Sequence, residues 1–179
     1  MLLETPEQRW RLHEKPFHRT GEVSETEYLQ RLNQNDSLYL KILFNHLQLI
    51  AAFTETQSHI LAVGSSADLQ SKYDDIDLLI CPEKQQVRSD FAYLAYNSLK
   101  NDSQLVTLQK YPKGSAVISH AQYAPFKLFT FAAITTKTPG EFKVFDMTFL
   151  GEDGGSFTDV LLYHHQNNLA FSILGKNLS

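Results

Sequence analysis

Hydrophobic and polar positions along this chain follow two periods, and the points where one gives way to the other mark out its elements. Ser24-Glu25-Thr26-Glu27 has the spacing of a capping box, in which the first hydroxyl accepts from the amide three residues on and the glutamate reaches back. A helix is predicted from there, carrying Tyr28, Leu29 and Leu32 on one side. Asn33-Gln34-Asn35-Asp36 interrupts or re-caps it, and Leu38, Ile42, Leu43, Leu47 and Ile50 then recur at helical spacing. Upstream, residues 7–15 fit a short helix anchored by Trp10 and ended by Pro16.

The period then shortens. Ile60-Leu61-Ala62-Val63 is an apolar run of the length and β-branched content of a buried strand, and it breaks at Gly64-Ser65-Ser66. After a polar spacer the chain re-enters a strand at Asp75-Ile76-Asp77-Leu78-Leu79-Ile80. A helix is predicted over 83–101, entered at Pro82, with Val87, Phe91, Leu94, Ala95 and Leu99 as its packing stripe. Residues 105–108 and 116–119 read as hairpin arms around the turn Tyr111-Pro112-Lys113-Gly114. Strands follow over 126–134 and 141–150, then a helix over 156–166 and a short tail. That order belongs to an α/β or α+β layer.

Length and composition narrow the class. With 179 residues, 42% of them hydrophobic, the chain suffices for one domain, 1–179: a helical scaffold (1–56), a sheet core (57–166) and a tail (167–179). The net charge of −4 supplies no global basic field to capture nucleic acid. A single cysteine, Cys81, within a predicted strand excludes an intramolecular disulfide framework and fits a reducing compartment. The first residues are charged early, and no stretch approaches the roughly 18 apolar residues of a membrane span. A cytoplasmic protein with no membrane partner is expected.

Chemistry concentrates on two stretches. Successive strand side chains point to opposite faces, so Asp75 and Asp77 share one face while Ile76, Leu78 and Ile80 share the other. Two like charges so close need a positive partner or a proton, and a hard divalent cation is the usual remedy. Upstream, the Gly64-Ser65-Ser66 turn can bring amides and hydroxyls to a phosphate, because Gly64 has no Cβ to obstruct it. The second stretch, Glu141 to Leu150, sets Val144, Asp146 and Thr148 on one face and Phe145, Met147 and Phe149 on the other. A lone mid-strand acid requires a partner, either a third place at the cation or a salt bridge to Lys127 or Lys143. The cation accounts for all three carboxylates at once. His13, His18 and the pair His164-His165 lack metal spacing and read as solvated surface residues.

Val63-Gly64-Ser65, the spacer, and Asp75-Ile76-Asp77-Leu78-Leu79 resemble the signature of the DNA polymerase β-like nucleotidyltransferase superfamily. The resemblance implies an α+β fold: a mixed, mostly antiparallel sheet with helices packed mainly on one side. It implies transfer of a nucleoside monophosphate from an NTP to an acceptor hydroxyl, with Mg²⁺ or Mn²⁺ held by Asp75, Asp77 and Asp146. Gly64, Ser65, Ser66 and Lys72 would face the triphosphate, and Lys127 would balance charge near Asp146. The stretches Ala124 to Phe129, Phe145 to Phe149 and Thr158 to Tyr163 are similar to the catalytic domain of terminal uridylyltransferases and cytoplasmic poly(A) polymerases, where a Thr-capped helix follows the third Asp.

The chain also departs from that pattern. Its spacer is one residue shorter, lacks a second Gly, and carries Asp68 and Asp74, whose charge opposes a triphosphate. A minimal, one-domain transferase is the closer fit, with an RNA end, a protein hydroxyl or a small molecule as acceptor and a protein partner or second copy as a further expectation. The alternatives are an inert binding or assembly module that keeps the fold, and a protein-AMPylating transferase of the antitoxin type.

Overall fold

The computed structural model describes residues 21–73, 75–105, 107–110, 128–135, 143–152 and 154–175. Helices α1 (Glu25–Arg31) and α2 (Gln34–Phe53) lead into strand β1 (Ser58–Val63), a one-turn helix α3 (Gly64–Ala67) and β2 (Asp75–Pro82). A 3₁₀ turn (Gln85–Val87) runs directly into α4 (Arg88–Lys100). Strands β3 (Thr107–Lys110), β4 (Leu128–Thr135) and β5 (Lys143–Leu150) follow, then α5 (Phe157–Gln166) and β6 (Phe171–Leu174). No helix among the described residues is long and apolar enough to cross a membrane.

The six strands form one sheet in the order β3-β4-β5-β2-β1-β6, an α+β arrangement. Every neighbouring pair is antiparallel except β2 and β5 at its centre, which run parallel. That exception matters most, because parallel strands need a long crossover. The crossover is everything between Pro82 and Lys143, so two distant stretches of sequence lie side by side.

One face of the sheet carries Ile60, Ala62, Ile76, Leu78, Ile80, Phe145, Met147 and Phe149, all buried in the main core. α1, α2 and α4 close it with Tyr28, Leu40, Leu43, Phe44, Leu47, Phe91, Ala95 and Leu99. Burying a side chain of this size contributes about 1.5–3 kcal/mol, so this layer dominates stability. The opposite face is covered in part by α5, where Leu61, Leu79, Cys81, Leu150, Val160 and Phe171 form a smaller cluster. Helices therefore pack mainly on one side, with α5 the exception.

Local signals account for most boundaries. Ser24 and Glu27 form the expected capping box, and the Asn33 side chain accepts from the Asp36 amide to cap α2. Several expectations need correction. Leu38 is 47% exposed, and Tyr39 and Leu40 are the buried residues of that turn, so the packed stripe of α2 is centred one to two positions further along. The third main helix begins at Arg88 rather than 83, since Pro82 closes β2 and the 3₁₀ turn intervenes. Its Arg88 is buried, donating to the carbonyls of Pro82, Gly151 and Gly155 and so tying the ends of β2 and β5 together.

β3 pairs with β4; the hairpin partner expected for it from the sequence is the segment 116–119. That segment and its turn, Tyr111 to Gly114, lie outside the described residues, as do 7–15, Lys127 and Asp74. The cap of α5 is Ser156, boxed with Asp159, and not a threonine. His164 is fully buried against Phe171, and burial lowers its pKa; only His165 of that pair is exposed. The expected tail contains β6, which pairs with β1, accepts the Val23 amide through Phe171 and directs the Gly175 amide to buried Glu25. Four residues gave too short a hydrophobic pattern to be read as a strand.

At the far ends of α2 and α4, His46 joins Ser98 (Nδ1 to Oγ, 2.6 Å) and Asp102 (Nε2 to Oδ2, 2.6 Å). The order matches that of a hydrolytic triad. Ser98 lies inside a helix, however, where neighbouring amides are committed to helical bonds and none is left to stabilise an oxyanion. The three side chains act as a polar tie between the helices.

Candidate metal centre

Three carboxylates meet where the two parallel strands begin. Asp77 and Asp146 are direct partners across β2 and β5, and Asp75 pairs with Val144 one pleat earlier. Cross-strand partners project to the same face, so all three acids lie on the side of the sheet that α5 covers only further along. One oxygen from each carboxylate lies within 4.8 Å of the others, and each residue is partly buried. An octahedral cation with bonds of about 2.1 Å holds its ligand oxygens about 3.0 to 4.2 Å apart. Oxygens within 4.8 Å of one another are thus close to the spacing of such a ligand set.

The electrostatics of the cluster are unfavourable without one. Burial, the neighbouring charge of Asp75 and a hydrogen bond shared with Asp75 push the pKa of Asp146 up to about 6 from an ordinary 3.8. Asp146 Oδ1 is buried without a hydrogen-bond partner, the only carboxylate oxygen in that condition among the described residues. Buried acceptors are normally satisfied. An oxygen left open in a ring of acids is what a cation would fill.

Gly64 completes the wall of the cluster. Because β1 runs antiparallel to β2, with Val63 opposite Asp77, the chain leaves β1 beside that aspartate. Gly64 takes φ +69°, and a β-carbon there would stand 2.6 Å from Asp77 Oδ2. Both the left-handed backbone and the close approach demand glycine.

The remaining expected site residues divide. Ser65 is partly buried beside Gly64, and Lys72 is exposed. Ser66 is fully buried; its hydroxyl donates to the Val63 carbonyl and lies 3.3 Å from the Tyr28 hydroxyl. That side chain belongs to the packing beneath the turn and not to its outer surface. Asp68, expected to repel a triphosphate, is turned inward: its carboxylate accepts from the Gln70 amide and the Ser71 hydroxyl, closing the loop on itself.

Sequence reasoning missed Arg31. From the last turn of α1 its Nη1 donates to the carbonyls of Ser65 (3.2 Å), Ser66 (2.9 Å) and Asp68, and Nη2 donates to Ser71. The guanidinium lies over the Tyr73 ring, and the Tyr73 hydroxyl donates to buried Asp36 of α2. The one local signal was a basic residue in the final helical turn, which by itself reads as dipole compensation.

No family model matches this chain, and no curated protein matches it.

Proposed function

We propose that this chain is a metal-dependent nucleotidyltransferase that moves a nucleoside monophosphate from an NTP to an acceptor hydroxyl. The single observation that carries the reading is the direct pairing of Asp77 with Asp146 across parallel strands, with Asp75 one pleat away on the same face. Oxygen-only ligands and an open buried carboxylate oxygen fit a hard cation such as Mg²⁺ or Mn²⁺. A pair of such cations, when bound, supplies charge stabilisation at the attacking and leaving oxygens. Asp75 and Asp77 hold the metal, and Asp146 completes the set. The superfamily resemblance of the Gly-Ser and Asp-x-Asp segments points the same way.

Between Gly64 and Tyr73 the sequence holds one basic residue, Lys72. Within this loop only Lys72 can offset the charge of a triphosphate, which favours entry of the nucleotide as its metal complex. Ser65 and the Gly64 turn remain available to orient it.

The test is incubation with each α-labelled NTP and Mg²⁺ or Mn²⁺, scoring label transfer to RNA ends, to protein and to the chain itself. Transfer by the wild-type protein that Asp75→Asn/Asp77→Asn abolishes is the expected result. Metal binding without label transfer, under every acceptor tried, overturns the enzymatic reading in favour of an inert module. The burial of Ser66 is the observation that favours that second reading, since it removes one of two hydroxyls expected at the phosphates.

A further inference from the structure

Arg31 gathers the main chain of nearly the whole connection between β1 and β2. Its four hydrogen bonds reach carbonyls of Ser65, Ser66, Asp68 and Ser71. Four carbonyl dipoles aimed at one point repel one another unless a cation stands there. A guanidinium suits the task because its donors form a rigid planar fork, whereas an ammonium is a compact point charge on a flexible stem. Beside the bonds that Asp68 and Ser66 make within the loop, its conformation therefore relies on this side chain, itself placed by Tyr73 and, through Tyr73, by Asp36.

What the loop holds makes that dependence matter. Its first residue, Gly64, abuts Asp77 Oδ2, and the next two, Ser65 and Ser66, are the first that Arg31 grips. A shift of this turn opens space beside Asp77 and frees its carboxylate to leave the orientation shared with Asp75 and Asp146. Partners that orient a metal ligand from behind affect metal affinity almost as much as the ligand does.

We propose that Arg31 is a positioning residue for the metal centre, an inference that rests on the metal reading given above. α1 is then part of the site's machinery as well as a scaffold: its last turn fixes the wall against which Asp77 is set.

The experiment measures Mn²⁺ affinity by electron paramagnetic resonance in the wild type, Arg31→Ala and Arg31→Lys, with folding followed by circular dichroism. Arg31→Ala is expected to lose about 10-fold or more in affinity, and Arg31→Lys to recover part of it. Millimolar guanidinium, which can occupy the vacated place, should restore Mn²⁺ affinity to Arg31→Ala, while tetramethylammonium at equal ionic strength should not. A folded Arg31→Ala that binds Mn²⁺ as the wild type does would overturn the inference and leave the metal reading intact. Loss of affinity that guanidinium does not restore would also overturn it, since general destabilisation then accounts for the loss. Failure of the wild type to bind Mn²⁺ would instead remove the metal reading itself.

Discussion

Gly64 and Asp77 fit so closely that a single methyl group cannot stand between them: a β-carbon on Gly64 would lie 2.6 Å from Asp77 Oδ2. The strand ending at Val63 and the strand carrying Asp77 are antiparallel neighbours, so this contact is built into the register. Gly64→Ala must either displace the carboxylate or shift the turn, and it also places an L side chain at φ +69°, at about 1–2 kcal/mol. We expect the variant to fold with a lowered melting temperature and to bind Mn²⁺ more weakly than that modest destabilisation explains. Wild-type Mn²⁺ affinity in Gly64→Ala would show that Asp77 needs no wall.

Asp146 sets stability against function. Its folded pKa of about 6 lies above the unfolded value of 3.8, so the folded state binds the extra proton. Its contribution is fully present below pH 3.8 and is lost as pH rises through about 6. The metal-free protein is thereby less stable at neutral pH by on the order of 2–3 kcal/mol. Asp146→Asn should raise the melting temperature of the metal-free protein at pH 7.5, leave it little changed at pH 4, and eliminate Mn²⁺ binding. Destabilisation by Asp146→Asn at pH 7.5 would contradict the charge repulsion described here.

Metal affinity should follow the same proton. A carboxyl that is protonated below about pH 6 must lose that proton before it ligates, so binding releases protons in acid solution. Isothermal titration in two buffers of different ionisation enthalpy should detect close to one proton released per site near pH 5 and markedly less near pH 7.5. Apparent affinity should rise across that interval. A pH-independent affinity would place Asp146 outside the ligand set.

The tie between α2 and α4 offers a control far from the site. The Asp102 carboxyl is held below its ordinary pKa, first by the hydrogen bond from His46 and then by the Gln104 amide. A depressed carboxylate contributes stability that is present above the unfolded value and lost as pH falls through the folded one. Asp102→Ala should cost on the order of 1–2 kcal/mol near neutral pH and progressively less as the solution is acidified. Chemical denaturation at several pH values checks this, and Mn²⁺ affinity should not change.

Much of this molecule is legible locally. Ser24 and Glu27 announce α1 because a capping box is closed within four residues, and Asn33 re-caps α2 by the same short-range chemistry. Strand alternation alone places Asp75 and Asp77 on one face and Asp146 opposite in character to Phe145 and Met147. These depend on neighbours in sequence, and neighbours in sequence are what a pattern reports.

Other features were decided by tertiary structure, because they depend on which strand lies beside which. The parallel alignment of Asp77 with Asp146 requires the long crossover through α4, β3 and β4. The burial of Ser66 depends on Tyr28, and the inward turn of Asp68 on a loop that Arg31 holds. A four-residue strand such as β6 has too little pattern of its own and becomes a strand by pairing with β1. The sequence by itself determined where the acids stand along their strands, because side-chain alternation is a property of the extended backbone. Only the tertiary structure decided that they meet and that an arginine from α1 holds the turn beside them, because contacts between distant segments are set by packing.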